Sequence, residues 1–285
     1  MDTQQRENRN KGLPRAAIKP LVLDFDSRAG AVRQDRKFVT ALARGLDVLR
    51  AFQTRIGPMS NKELSEVTGI PKPTISRLTF TLKELGYLTQ ASRNSKYELA
   101  PGILSLGYPM LSGLRIRHVA HDHMAELAKI GGCTVALASR DQLSMVFVDE
   151  YCGNSATTLR VDVGARIEIA RSAIGRAYLS GVNDDLRQEL FRQLETFYGS
   201  EWPELKSRIE SCIQQVKTRG FCLVDREWRK DTRTVAVPLI SPDGTIVMAM
   251  SCGGPTFSIS VDMLEQDIGP RMVHICETDS LFLGN

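Results

Sequence analysis

Thr68–Gly86, TGIPKPTISRLTFTLKELG, reads as a tight turn leading into a helix. Gly69 supplies the permissive backbone that ends a preceding helix, and Pro71 and Pro73 stand at the opening of the next, where a missing N–H costs nothing. Ile75, Leu78, Leu82 and Leu85 recur in steps of three, four and three, which turns one apolar stripe inward. Lys72, Thr74, Ser76, Arg77, Thr81 and Lys83 are left for the other face. Upstream, Ser60-Asn61-Lys62-Glu63 fits the S-x-x-E capping box, so a short helix starts near Ser60. Two helices joined this way, the second opening with basic and hydroxyl side chains, make a helix-turn-helix suited to the major groove. An ordinary amphipathic hairpin with a solvated polar face fits the same pattern.

The residues on either side favour the first reading. Tyr87–Gln90, a polar Ser-Arg-Asn-Ser turn and Lys96–Leu99 predict a two-stranded wing with Arg93 and Lys96 at its tip. Before the motif, Leu42, Leu46, Leu49 and Phe52 recur at helical spacing, predicting a helix over Phe38–Thr54 that Gly57-Pro58 ends. Charge is divided unevenly. Residues 1–37 hold nine Lys/Arg against five Asp/Glu, residues 38–99 again nine against five, and residues 100–285 nineteen against twenty-three. A basic end joined to a mildly acidic remainder suits a polyanion-binding module attached to one with another task; a solvated basic surface is the alternative. Residues 1–37 have few large apolar side chains and read as a disordered basic arm, either a groove-following segment or a solubilising tail.

After the wing, Pro101-Gly102 breaks the pattern, and helices are predicted over Ile103–Ser112 and Ile116–Ile130. Beyond Gly132 the texture becomes mixed. Cys133–Ala138 with Met145–Val148, and Val235–Ile240 with Thr245–Ser251, read as hairpins, and Thr157–Val163 and Arg166–Ile169 as further strands. Helices are expected over Ser172–Ser180, Asp184–Phe197, Pro203–Arg219 and Ser260–Leu281. Strands interleaved with helix pairs indicate an α+β domain, an antiparallel sheet with helices packed against it. The division is therefore an arm (1–37), a winged helix-turn-helix domain (38–100), linker helices with a dimer contact (101–131) and a second domain (132–285).

Six cysteines without C-x-x-C spacing read as reduced thiols of a cytoplasmic protein, and no apolar run approaches a membrane span. His118, His121 and His123 lie close enough to suggest a metal, yet no carboxylate pair or cysteine completes a spacing, so a polar helix surface or dimer contact is the better reading. No G-x-S-x-G, P-loop or H-E-x-x-H is present; Cys252 with His274 is the best nucleophile pair available, against a buried strand cysteine. Nothing calls for a cofactor.

The run from Ala41-Leu42-Ala43-Arg44-Gly45-Leu46 through Pro71-Lys72-x-Thr74-x-x-Arg77-Leu78, Leu85-Gly86-Tyr87 and Tyr97-x-Leu99 resembles the DNA-binding domain of IclR-type bacterial transcription regulators. The resemblance extends over about residues 38–282, and Leu42–Leu46 with its long preceding arm is most similar to the branch that includes regulators of aromatic-acid catabolism. It implies a winged helix-turn-helix joined by helices to a GAF-like α+β effector-binding domain, in a homodimer or homotetramer on a double-stranded DNA operator. DNA contacts are expected from Arg44, Lys72, Thr74, Ser76, Arg77, Thr81, Arg93 and Lys96.

The second domain then implies a sensor of a small organic acid. Carried over by position, the effector would meet Ser172, Ala173, Ile174, Val224, Asp225, Thr234, Ser251 and Gly253. Amides at Ala173 and Ile174, where a loop becomes a helix N-terminus, suit a carboxylate. The chain also departs from the family pattern. Glu168 and Ala170 stand where Pro and His are frequent, Arg171 replaces a small residue, and Val224 an acidic one. An apolar floor at Val224 with Arg171 or Arg176 nearby leans towards an aromatic or hydrophobic acid. The readings that compete with a ligand-responsive regulator are an enzyme fused to a winged helix and a winged-helix protein-interaction module.

Overall fold

The structure, a computed structural model, describes residues 37–54, 57–91, 95–153 and 161–279. Residues 1–36 of the arm, Arg93 and most of the strand expected over Thr157–Val163 lie outside them. The described residues form two compact units, one ending at Gly113 and one beginning at Leu114.

The first unit contains α1 (Thr40–Ala51), β1 (Met59–Ser60), α2 (Asn61–Thr68), α3 (Lys72–Glu84), β2 (Leu88–Gln90), β3 (Lys96–Leu99) and α4 (Gly102–Gly113). The capping box forms as the sequence requires: the Ser60 N–H donates to Glu63 Oε2 (2.8 Å) and the Glu63 N–H to Ser60 Oγ (3.3 Å). Gly69 ends α2 at φ 68°, a left-handed conformation favourable to glycine. Pro71 caps α3 and Pro73 sits in its first turn. The wing is a three-stranded antiparallel sheet in the order β1-β3-β2, because Met59 and Ser60 pair with Tyr97 and Lys96.

Two apolar stripes differ from expectation. In α3, Ile75 and Leu82 are buried and Leu78 partly so, but Leu85 is exposed and Thr79 takes the remaining inward place. The Thr79 hydroxyl can enter a core because it donates to the Ile75 carbonyl (3.0 Å), one turn back. In α1 the core is built by Val48, Ala51 and Phe52, while Leu42 and Leu46 are exposed. Helix α4 has no buried residue at all.

The second unit begins with α5 (Arg115–Gly131), followed by β4 (Thr134–Asp141), β5 (Ser144–Cys152), β6 (Arg166–Glu168), α6 (Ala173–Gly181), α7 (Asp184–Tyr198), α8 (Trp202–Arg219), β7 (Cys222–Asp225), β8 (Thr232–Ile240) and β9 (Val247–Pro255). Residues 161–163 form no strand. The expected last helix is broken into a short turn at Val261–Met263, a π-helical turn at Leu264–Ile268 and α9 (Gly269–Asp279).

The six strands form one antiparallel sheet in the order β6-β5-β4-β9-β8-β7. Its two faces follow from the period of two along each strand. Ala136, Ala138, Phe147, Cys222, Val224, Ala236 and Ala249 share a core with α6, α7 and α8, including Ile174, Leu194, Trp202 and Ile209. The opposite face, with Val135, Leu137 and Cys252, is covered by α5 and α9. Ile116, Ala120, Met124 and Leu127 are buried, so the apolar face of α5 is spent inside its own unit. No described helix is long and apolar enough to cross a membrane.

Candidate functional site

Helix α3 presents Lys72, Ser76, Arg77 and Thr81 as exposed side chains, with Thr74 half-buried and Arg44 exposed on α1. The Thr81 hydroxyl donates to the Arg77 carbonyl (3.0 Å), so it is committed to its own helix. Lys96 is not at a free wing tip. It opens β3, pairs with Ser60 across the sheet, and its Nζ lies 3.3 Å from Glu63, the carboxylate of the capping box. That interaction ties the wing to the N-terminus of α2. The sequence reading missed Phe80, which is exposed on the same helix.

In the second unit the sheet and α6 enclose a cleft that, with its mouth, holds about 530 Å³. One row of residues crosses four strands and supplies its floor: Val224 pairs with Thr234, Thr234 with Gly253, and Gly253 with Thr134. Ala136 and Ser251, also paired, continue the floor, and Phe147, Val161, Ile167, Trp228 and Thr232 form walls. Ser172, Ala173 and Ile174 close it at the start of α6. All of the expected effector residues except Asp225 therefore line one cleft. Asp225 follows Val224 on β7 and so faces the other way, where its carboxylate accepts from Arg233 Nε (3.0 Å). Thr134, Thr232, Phe147 and Trp228 were missed, although Thr232 and Thr134 were recoverable from the alternation that places Thr234 and Ser251 on this face.

Two glycines let the parts approach. A Cβ on Gly253 would lie 2.4 Å from Thr234 Oγ1 and 2.5 Å from the Arg233 carbonyl, and one on Gly175 2.2 Å from the Ile169 carbonyl. Backbone contact at Gly175 draws α6 against the end of β6. There Ser172 caps the helix, its Oγ accepting from the Gly175 N–H (3.2 Å) and donating to the Glu168 carbonyl (2.6 Å). The first-turn amides of Ala173 and Ile174 precede the helix's own acceptors, and the partial positive charge of a helix N-terminus adds to them.

Neither arginine expected near the ligand lines the cleft. Arg171 pairs with Glu168 (3.1 Å) and Glu201. Arg176 is buried on α6; its Nε donates to the Ala170 carbonyl (2.8 Å) and its Nη2 to Glu227 Oε2 (2.8 Å), which Arg208 also holds at 2.8 Å. Burial works against both charges. The two guanidinium groups outweigh it and hold the Glu227 carboxyl below its ordinary value. Since Glu227 precedes Trp228, this clamp fixes one wall of the cleft. No charged side chain is among the described residues that line it.

Cys252 faces away from the cleft, its Sγ 2.9 Å from that of Cys133, and the neighbouring thiol together with burial pushes its pKa well up. That is poor chemistry for a nucleophile. Its proposed base, His274, is exposed on α9. Of the three clustered histidines, His123 meets Asp279 (3.1 Å) and His121 packs edge-on against Tyr151. Among the described residues no group of three His, Cys, Asp or Glu is placed to hold a metal.

Residues 108–271 match the family described as bacterial transcriptional regulator IclR C-terminal, and residues 41–92 match the IclR helix-turn-helix domain. HTH-type transcriptional regulator TsaQ1/TsaQ2 of Comamonas testosteroni is 32% identical over 238 residues, 82% of this chain and 84% of that protein. The crystal structure of an IclR family transcriptional regulator from Brucella abortus is similar with a TM-score of 0.79 and 41% identity, covering 87% of this chain and 93% of that one. An IclR homolog from Microbacterium hydrocarbonoxydans, solved in complex with 4-hydroxybenzoate, shares the fold at a TM-score of 0.65 and 19% identity, covering 85% and 96%.

Proposed function

The chain belongs to the IclR family of bacterial DNA-binding transcription regulators, and we propose that it binds a two-half-site operator as a dimer or higher oligomer under the control of a small aromatic acid held in the cleft. Its relatives are named as regulators, not enzymes. The observation that carries the effector reading is the lining of the cleft. Hydroxyls of Thr134, Thr232, Thr234 and Ser251 and the N-terminus of α6 line the middle of it, between Ile167 and Phe147 at the β6-β5 end and Val224 and Trp228 at the β7 end. A carboxylate at the helix N-terminus needs no arginine, because oriented amides and the helix dipole supply the positive potential. An aromatic side chain at either end of the lining favours a flat ring in edge-on or offset contact with one of them. The 4-hydroxybenzoate complex of a protein of this fold supports the same class of ligand.

Oligomerisation is supported by apolar surface on the first unit. Leu104, Leu106, Tyr108 and Met110 of α4, none less than half exposed, and Leu42 and Leu46 of α1 have no core of their own to enter. A second copy is the natural cover, since two half-sites about one helical turn apart need two recognition helices. Titration calorimetry against benzoate-class and aliphatic carboxylates of equal charge tests the ligand class. Aromatic acids are expected to bind and to protect the second unit from thermal unfolding; preference for short aliphatic acids would contradict the reading. Sedimentation should show at least a dimer that Leu104→Lys weakens.

A further inference from the structure

Phe80 occupies a position where an amphipathic helix does not ordinarily place a phenyl ring. The inward line of α3 is Ile75, Thr79 and Leu82. At 3.6 residues per turn, the opposite line is Pro73, Arg77, Phe80 and Glu84, and all four are exposed. Phe80 is 62% exposed. Its neighbour makes the inversion plain: the inward slot goes to the Thr79 hydroxyl, which also donates to Asn61 Oδ1 on α2 (3.2 Å), while the ring is left outside.

The surroundings of the ring indicate what covers it. Ser76, Arg77 and Lys83 share its exposed face, with Glu84 the acidic member. Cations and a hydroxyl around an aromatic side chain complement a groove flanked by phosphates better than the apolar face of another protein. Within the major groove a phenyl ring has no hydrogen bond to offer, and the apolar feature there is the C5-methyl group of thymine.

We propose that Phe80 is a specificity-determining residue that reads a thymine methyl group in the major groove, one turn of α3 beyond the contact made by Arg77. This rests on the reading of α3 as the groove-entering helix. Duplexes enriched from a random library by the full-length wild-type protein provide the probe. Each thymine is then replaced singly by deoxyuridine, which removes the methyl and leaves the hydrogen-bonding edge intact, and binding is followed by fluorescence anisotropy. At one position per half-site the wild type should lose about fourfold in affinity, the worth of one methyl-sized group removed from water. Phe80→Ala should bind the thymine and uracil duplexes equally, with an unchanged unfolding midpoint. Indifference of the wild type to every methyl, or a full methyl effect retained by Phe80→Ala, would overturn the assignment. So would dissociation of the oligomer by Phe80→Ala, which would give the ring to a second copy. A library that yields no preferred duplex would instead overturn the reading of α3, and the proposal with it.

Discussion

Replacing Arg176 by methionine separates a structural arginine from a ligand-binding one. The substitution keeps the apolar stem and removes the guanidinium, which is almost wholly buried and donates to the Ala170 carbonyl and to Glu227. An unsatisfied buried acceptor costs about 1–3 kcal/mol. Removing one partner of a buried ion pair costs about 3–5 kcal/mol when the other charge is stranded. Glu227 is not stranded, because Arg208 still holds it and a quarter of its side chain reaches solvent. The loss should therefore lie near the lower end, about 3 kcal/mol, or roughly 6–12 °C in Tm for a unit of this size. Urea and thermal unfolding of the full chain, with ligand affinity measured on the folded fraction, provide the assay. A large loss of affinity with unfolding unchanged within about 0.5 kcal/mol would show that Arg176 serves the ligand and that the clamp has been misread.

Other substitutions test the two surfaces. Ser251→Ala removes one cleft hydroxyl and little volume, so ligand binding should weaken by about 1 kcal/mol, while Ala173→Leu should weaken it more by filling the start of α6; calorimetry showing both variants equal to wild type would move the site elsewhere. Arg77→Ala should cost about 1–3 kcal/mol of operator binding, whereas Lys72→Ala should weaken all duplexes alike and shallow the salt slope by about one unit; gel-shift titrations that exchange these outcomes would exchange the roles. The depressed Glu227 pKa gives an acid dependence with a definite sign: its stabilisation is present in full above the unfolded value near 4.5 and is lost as pH falls through the lower folded value. The stability gap between wild type and Glu227→Gln should thus be constant at neutral pH and shrink in acid, and a gap of the same size at pH about 3 would contradict the linkage.

Local chemistry was legible in the sequence where the partner is a few residues away. The Ser60–Glu63 box, the glycine stop at Gly69 and the capped start of α6 at Ser172 all form within one helical turn. The family resemblance pointed to Thr234, Ser251 and Gly253, and the alternation along their strands and β4 carries Thr232 and Thr134 onto the same face. Periodicity does not say what an apolar residue packs against. Leu42, Leu46 and Leu85 fit a helical stripe, yet none is buried within this chain. Nor does charge say where a long side chain ends: Arg176 and Lys96, expected at ligand and at DNA, are bound to Glu227 and Glu63, residues 51 and 33 positions away. Trp228 gave no periodic signal because it lies on the turn between β7 and β8, held by a clamp that only the fold assembles.

The central claim is that occupancy of the cleft and occupancy of the operator are coupled in one protein. A ligand can shift operator affinity only by its differential affinity for two arrangements of the oligomer, and the coupling is reciprocal. The decisive measurement is a pair of titrations on the full-length chain: operator affinity with and without saturating aromatic acid, and acid affinity with and without saturating operator. The same factor is expected in both, about 5- to 150-fold, abolished in both by Ala173→Leu. An acid that binds the cleft and leaves operator affinity unchanged would contradict it.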